Sequence, residues 1–231
     1  MTEIPQQVRL ALSMMEQAGF EAYIVGGCVR DHLLGRTPHD FDITTSALPE
    51  ETQKVFSGFK CIDVGIQHGT VAVIIDKMQL EITTYRIDGE YSDKRHPESV
   101  TFSSDLKDDL SRRDFTVNAL ACSKDGEIVD CFEGREDLEK KVIRCVGKAE
   151  KRFDEDALRI MRAVRFASQL GFTIESQTEE QVFSLKDTLK MISAERLRAE
   201  LDKLICGKAV FSAKAARSVY SRTSLSQPST P

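Results

Sequence analysis

One stretch near the N-terminus constrains the fold of this chain more than any other. Residues 23–31 read Tyr-Ile-Val-Gly-Gly-Cys-Val-Arg-Asp, which predicts a short apolar strand over residues 22–25, a glycine turn and the start of a helix. Such a turn directs free backbone N–H groups and the positive end of the helix dipole at an anion. The turn therefore favours a phosphate group, with Gly27 and Arg30 beside it.

A pair of carboxylates follows shortly after, in the sequence Asp40-Phe41-Asp42-Ile43. On a β-rich segment, side chains at positions i and i+2 leave the same face of the strand. Two hard oxygen ligands side by side suit Mg²⁺, which prefers one or two carboxylates together with substrate phosphates. Each feature is common alone, but a phosphate-binding turn next to a pair of metal ligands predicts a phosphoryl-transfer site.

A third carboxylate lies on the strand predicted over residues 80–85. Strict alternation places Glu81 and Thr83 on one face and Ile82 on the other. Two interpretations of Glu81 remain open. It is either a third carboxylate near the metal or a glutamate of an edge strand that points into water.

Residues 152–166 predict one amphipathic helix, with Asp154 as its N-cap. An aspartate and three arginines recur at every third position, so they drift by only about 60° per step and form a slanting row along one side. The members of the row are Asp156, Arg159, Arg162 and Arg165. The interleaved side chains, predicted to face the core, are Leu158, Met161 and Val164. The helix dipole explains an acidic residue in the first turn but not the arginines.

These features together resemble the class II tRNA nucleotidyltransferases, which comprise the CCA-adding enzymes and their bacterial poly(A) polymerase relatives. Residues 112–119 (Arg-Arg-Asp-Phe-Thr-Val-Asn-Ala) and the element over residues 155–166 match two further family motifs. The resemblance covers about residues 4–208. It implies an α+β fold with a polymerase-beta-like nucleotidyltransferase head, built on a mixed β-sheet, and an all-α neck.

The resemblance also implies an activity and roles for individual residues. The activity is metal-dependent, template-independent addition of C and A to the 3′ end of tRNA from CTP and ATP, with release of pyrophosphate. Asp40 and Asp42 would hold Mg²⁺, and Glu81 is a candidate third catalytic carboxylate. Asp156 and Arg159 would read the incoming base. The implied nucleotide-binding residues are Gly27, Arg30, Arg113, Asp156, Arg159, Arg162 and Arg165.

Other functions remain open. A poly(A) polymerase or an A-adding enzyme of the same family shares these motifs. Residues 88–104 are polar and predict a flexible loop, which in the family helps the site change from C to A addition and so favours an A-adding activity. A catalytically idle RNA-binding protein would not need the Asp pair, and a nucleotidyltransferase acting on small molecules would not need Asp156 and Arg159.

The sequence predicts a head over residues 1–145, a helical neck over residues 146–208 that begins the RNA-binding region, and a tail. The tail, residues 209–231, is rich in Ser, Thr and Pro and is predicted to be disordered. Family members usually continue through further helices that grip tRNA. The resemblance stops after Gly207, which puts the affinity for tRNA in question.

Charge is unevenly distributed along the chain. The net charge is −5, yet residues 186–231 hold nine Lys and Arg against four Asp and Glu. This part either contacts a phosphate backbone or forms a solvated helical surface.

Composition also bears on the compartment. Six cysteines without C-x-x-C spacing favour buried thiols in a reducing compartment over zinc or disulfides. With no apolar run near the roughly 18 residues of a membrane span and no signal sequence, we expect a cytoplasmic protein. No protein partner is evident, and a homodimer remains open.

Overall fold

A computed structural model describes residues 4–38, 40–89 and 99–205. The helices are α1 (Gln6–Gln17), α2 (Gly27–Leu33), α3 (Pro49–Val55), α4 (Leu106–Ser111), α5 (Gly134–Lys140), α6 (Ala149–Glu155), α7 (Leu158–Leu170), α8 (Ser176–Leu185) and α9 (Ala194–Ile205). The strands are β1 (Ala22–Val25), β2 (Asp42–Thr45), β3 (Lys60–Gly65), β4 (Thr70–Ile75), β5 (Met78–Thr84), β6 (Arg86–Asp88), β7 (Val100–Phe102), β8 (Leu120–Cys122), β9 (Ile128–Asp130), β10 (Val142–Ile143) and β11 (Thr173–Ile174). Short 3-10 turns lie at Ile66–His68, Thr116–Asn118 and Lys186–Met191.

Seven strands form one sheet in the order β3-β4-β5-β2-β1-β8-β9. The β2–β5 pair is parallel, and the neighbouring pairs β1–β2 and β4–β5 are antiparallel. The predicted mixed sheet and the α+β class are therefore confirmed. The β-branched run of β4 lies between β3 and β5 and is mostly buried, and such side chains pack well on a pleated sheet.

The register of the sheet brings the site residues together. Val25, the last residue before the glycine turn, lies opposite Asp42 in the β1–β2 pair. Asp42 in turn lies opposite Glu81 in the β2–β5 pair. Glu81 is exposed and Ile82 is buried, as the predicted alternation requires. The prediction for Asp40 was wrong in one respect: β2 begins at Asp42, so Asp40 precedes the strand and strand geometry does not fix its direction.

One hydrophobic core contains residues from α1 near the N-terminus and from α6, α7 and α8 after the sheet. Its members include Val8, Leu12, Ile24, Phe115, Phe153, Phe166 and Val182. Residues after position 146 thus share a core with the sheet, and the boundary at residue 145 remains a prediction. The all-α description of the neck is corrected in one detail, because β11 pairs in parallel with β10.

The helix predicted over residues 152–166 is broken. Helix α6 ends at Glu155, and Asp156 has an extended backbone (φ −138°, ψ 104°) before α7 begins. Asp154 lies inside α6 and is not an N-cap, which corrects that prediction. Leu158 is buried as expected, whereas Met161 and Val164 are only half-buried. The buried side chains of α7 instead include Ile160, Ala163, Phe166 and Ala167.

Strands β6 and β7 pair in an antiparallel hairpin, so the ends of the predicted flexible loop are ordered. The rest of that loop, residues 90–98, and the tail over residues 209–231 lie outside the described residues.

Three of the cysteines are buried, as the sequence predicted for this residue type. Cys28, Cys122 and Cys145 are buried and Cys131 is exposed, and none of these four forms a disulfide within the described residues. Within the described ranges, no helix is both long enough and apolar enough to cross a membrane.

Candidate functional site

A cavity of about 420 Å³ opens where β1 meets α2, α7 and α9. Among the described residues, six arginines line it: Arg30, Arg112, Arg113, Arg159, Arg162 and Arg196. Three aspartates line it: Asp42, Asp114 and Asp156. In a protein with a net charge of −5, this local excess of cations is suited to an anionic ligand.

The glycine turn forms one wall of this cavity. Gly26 has φ +80°, a conformation that side chains other than glycine rarely adopt. A Cβ at this position would lie 3.1 Å from Nη1 of Arg113. Gly27 is the first residue of α2, and no side chain of the described residues caps that helix. The turn therefore leaves backbone donors next to an arginine.

Arg30 is held firmly on α2. Its Nη1 donates to Oδ1 of Asn118 over 2.6 Å, and its Nε donates to Oδ1 of Asp31 over 2.9 Å. Its guanidinium also lies 5.0 Å from the centre of the Phe166 ring. Asn118 belongs to the motif at residues 112–119, but sequence reasoning gave it no role.

Two arginines at the end of α4 share one buried carboxylate. Nη2 of Arg112 donates to Oδ1 of Asp109 over 2.7 Å, and Nη2 of Arg113 donates to Oδ2 over 3.1 Å. Burial alone would raise the pKa of Asp109, but the two guanidiniums lower it. Among the described residues, Nε of Arg113 is a buried donor with no hydrogen-bond partner. Such an orphan donor fits an anionic ligand.

Asp114 is a site residue that the sequence did not reveal. Its Oδ2 accepts from Nε and Nη2 of Arg162 over 2.8 and 2.6 Å, and its Oδ1 accepts from Nδ2 of Asn118 over 3.0 Å. Burial opposes its ionisation, yet Arg162 and Asn118 together lower its pKa to about 2. Asp114 is therefore a charged anchor that fixes Arg162 at the cavity.

Asp156 and Arg159 both line the cavity but are held by different partners. Oδ1 of Asp156 accepts from the Leu158 N–H over 3.0 Å, and Oδ2 accepts from Arg196 over 3.1 Å. Nη1 of Arg159 donates to Glu155 over 2.7 Å. The carboxylate and the guanidinium thus both line the cavity, and each is oriented by its own contacts.

Arg165 does not line the cavity. Its Nε donates to Oε2 of Glu200 on α9 over 2.5 Å, and its guanidinium lies 3.9 Å from the centre of the Phe166 ring. The predicted row of arginines is therefore divided. Arg159 and Arg162 line the cavity, whereas Arg165 is buried between α7 and α9.

Asp42 lies between this cavity and a second one of about 390 Å³, which is also lined by Asp40 and Glu81. Burial in the cleft raises the pKa of Asp42, and the charge of Asp40 adds to this, while Arg113 lowers it. In the part of the chain that the structure describes, no three potential ligands form a ready metal cluster. Mg²⁺ is usually held by one or two carboxylates plus substrate phosphates, so this open set of hard oxygens fits it.

The mixed sheet, the glycine turn and the adjoining carboxylates have the architecture of a nucleotidyltransferase head. The family described as "Poly A polymerase head domain" matches residues 22–144, and the chain belongs to this family. A second family, described as "Probable RNA and SrmB- binding site of polymerase A", matches residues 171–213. The family resemblance inferred from the sequence is confirmed.

Individual relatives agree with this assignment. The chain is 52% identical over 209 residues to the CCA-adding enzyme of Leuconostoc mesenteroides, covering 89% of this chain and 52% of that protein. The crystal structure of the Bacillus stearothermophilus CCA-adding enzyme in complex with CTP superposes with a TM-score of 0.83 at 46% identity, covering 93% of this chain and 51% of that one. The Thermotoga maritima CCA-adding enzyme complexed with tRNA_CCA gives a TM-score of 0.75 at 27% identity, with coverage of 94% and 51%. The chain spans about half the length of the relatives it matches.

Proposed function

We propose that this chain adds C and A residues to the 3′ end of tRNA, using CTP and ATP and releasing pyrophosphate. One observation carries the proposal: a single cavity holds Asp42, the glycine turn, and both Asp156 and Arg159. Groups suited to phosphate transfer and groups suited to base recognition thus share one ligand site. The relatives named CCA-adding enzymes, one of them bound to CTP, support the same conclusion.

The triphosphate would lie against the basic wall of the cavity. The start of α2 at Gly27 offers backbone N–H groups, and Arg30, Arg113 and Arg162 line the same cavity. The unpartnered Nε of Arg113 would donate to a phosphate oxygen. Arginine suits this role because its planar guanidinium donates to two phosphate oxygens at once.

The base would be read by Asp156 and Arg159. Cytosine and adenine each present an amino donor beside a ring-nitrogen acceptor, whereas uracil and guanine present a carbonyl beside an N–H. The carboxylate accepts from the amino group and the guanidinium donates to the ring nitrogen. Uracil or guanine would instead place a carbonyl oxygen against the carboxylate and an N–H against the guanidinium. The separate anchors of the two side chains, Arg196 and Glu155, support this role because they hold both groups at the cavity before the base arrives.

Asp40 and Asp42 would hold Mg²⁺, with Glu81 as a candidate third carboxylate on the neighbouring strand. When bound, the metal would activate the 3′-hydroxyl of the RNA and stabilise negative charge on the phosphates. The contribution of the chain is an ionised Asp42. Burial raises the pKa of this carboxyl, whereas the nearby charge of Arg113 lowers it. Arg113 therefore favours the ionised form, which is the form that binds a cation.

The predicted head (1–145) and neck (146–208) are part of this proposal. The match of residues 171–213 to an RNA-binding family supports the assignment of the neck as the start of the RNA-binding region. The basic character of residues 186–231 suits contact with a phosphate backbone.

The test is incubation of the protein with Mg²⁺, labelled CTP or ATP, and a tRNA that lacks its 3′ CCA. We expect short products that stop once CCA is complete. Long A tracts formed from ATP alone would identify a poly(A) polymerase instead. Binding of CTP, ATP, UTP and GTP without RNA is measured in parallel by calorimetry. If the protein neither binds CTP nor incorporates it, the proposal is wrong, and nucleotide binding without incorporation would favour the idle RNA-binding protein.

A further inference from the structure

The phenyl ring of Phe166 has three guanidiniums around it. The distances from the guanidinium carbon to the ring centre are 5.0 Å for Arg30, 5.4 Å for Arg162 and 3.9 Å for Arg165. All three lie within the roughly 6 Å over which an aromatic face attracts a cation. Three like charges around one ring repel each other, so the arrangement needs specific compensation.

Each of the three guanidiniums has its own carboxylate. The partners are Asp31 for Arg30, Asp114 for Arg162 and Glu200 for Arg165, at N···O distances of 2.8, 2.6 and 2.5 Å. A carboxylate takes up donors along one edge of a guanidinium and leaves its face free. The shared ring of Phe166 is therefore the contact that these three separate ion pairs have in common.

Phe166 is itself fixed in place. It is 6% exposed, and its ring packs edge-on against Phe115 with the centres 5.9 Å apart and an angle of 80° between the planes. Phe166, Arg30 and Arg162 all line the cavity, although Arg30 comes from α2 and Arg162 from α7. The ring thus joins arginines from two distant parts of the sequence at the proposed triphosphate site.

We propose that Phe166 is a positioning residue for triphosphate binding, whose ring holds the guanidiniums of Arg30 and Arg162 as one set. The proposal rests on the function proposed above. An aliphatic side chain would fill the same space, but it lacks the negative ring face that draws cations together. Without the ring, both guanidiniums would lose part of their orientation, and binding the triphosphate would have to restore it.

The experiment compares three ligands in the absence of RNA: CTP, CMP and inorganic tripolyphosphate. Dissociation constants are measured for the wild type, Phe166→Leu and Phe166→Tyr. We expect Phe166→Leu to weaken the binding of CTP and tripolyphosphate by roughly three- to thirtyfold, which is the range that the loss of one cation–π contact gives. The binding of CMP should weaken by less than about twofold. Phe166→Tyr keeps the aromatic face and is expected to stay near the wild type.

Phe153→Leu is the matched control. Phe153 is a fully buried phenyl in the same hydrophobic core, and none of the guanidinium–ring contacts among the described residues involves it. This variant should lose thermal stability while binding CTP as the wild type does. A similar loss of CTP affinity in Phe153→Leu would show that the effect is general loosening of the core and would overturn the proposal.

Other results also decide the question. Two results would contradict a role of Phe166 through the arginines. One is a folded Phe166→Leu protein that binds tripolyphosphate normally, and the other is an equal loss of affinity for CMP and CTP. If Phe166→Leu does not fold, Phe166→Met combined with Arg162→Gln in a double-mutant cycle replaces it, and additive losses would overturn the proposal. A wild-type protein that binds none of the three ligands would instead refute the proposed function.

Discussion

Nη2 of Arg196 on α9 donates to Oδ2 of Asp156 over 3.1 Å, across a separation of 40 residues in the sequence. Asp156 is the C-cap of α6 and has an extended backbone before α7 begins, and its N–H donates to the carbonyl oxygen of Arg152 over 3.4 Å. Arg196 lies within residues 171–213, which match an RNA-binding family. The carboxylate proposed to read the base is therefore oriented by a helix from the proposed RNA-binding region.

The first prediction is that Arg196→Met lowers the selectivity for CTP over UTP. A good bidentate contact discriminates by about 1 to 3 kcal/mol, and a carboxylate without its anchor should lose part of this, roughly three- to tenfold in selectivity. The measurement is the ratio of kcat/KM for the two nucleotides. Arg198→Met is the control, because Arg198 is exposed on the same helix and pairs only weakly with Asp202. Unchanged selectivity in Arg196→Met would mean that Asp156 does not depend on this contact.

The second prediction concerns Asp42. Asp42→Ala should abolish incorporation of both CTP and ATP, because stabilisation of charge by a metal contributes several kcal/mol to lowering the barrier. Asp42 is the first residue of β2 and faces the cleft outside the hydrophobic core, so the melting temperature should change little. Asp125→Ala, an exposed carboxylate on the turn between β8 and β9, is the control and should keep full activity. Near-normal turnover in Asp42→Ala would exclude it as a metal ligand in the reaction.

The third prediction is a pH dependence of stability that arises from Asp114. Its pKa of about 2 in the folded protein lies below the value of about 3.9 in an unfolded chain. The resulting stabilisation, about 2 to 3 kcal/mol, is complete above the unfolded pKa and is lost as the pH falls through the folded one, with about 1 kcal/mol lost by pH 3. Urea unfolding at pH 5 and pH 3 measures this loss.

Asp114→Asn provides the comparison for that measurement. The variant should be less stable at pH 5, because Arg162 loses its ionised partner. Its stability should then fall less between pH 5 and pH 3 than that of the wild type, by about 1 kcal/mol. An equal fall in both proteins would assign the acid sensitivity to other carboxylates.

The fourth prediction compares two glycines that both have a positive φ. Gly19 and Gly26 have φ of +89° and +80°, which L side chains rarely adopt, so an alanine at either position should destabilise the fold by about 1 to 3 kcal/mol. A Cβ at Gly19 has nothing within 4 Å, whereas at Gly26 it would lie 3.1 Å from Nη1 of Arg113. Only Gly26→Ala should therefore weaken CTP binding, measured by calorimetry. Equal effects of the two variants on CTP would argue against a role for this turn at the triphosphate.

The sequence alone predicted much of the local structure. The strand predicted over residues 22–25 is β1, with the glycine turn and the start of α2 directly after it. The alternation around Glu81 and the cavity-lining positions of Arg159 and Arg162 also follow from simple periodicity. These features depend on neighbours within a few residues of each other, and the pitch of a helix or the pleat of a strand fixes such relationships whatever the rest of the chain does.

The tertiary structure decided which side chains meet. Arg162 is joined to Asp114 across 48 residues and Arg30 to Asn118 across 88, and no local pattern specifies either pair. Arg165 occupies a regular place in the predicted row, but α9 brings Glu200 next to it. Arg165 therefore pairs with Glu200 and does not line the cavity. Sequence spacing determines the face of a helix on which an arginine lies. The choice of its partner depends on which carboxylate the packing of the sheet and helices brings within hydrogen-bond distance, because the energy of such a pair falls steeply with distance and rises with burial.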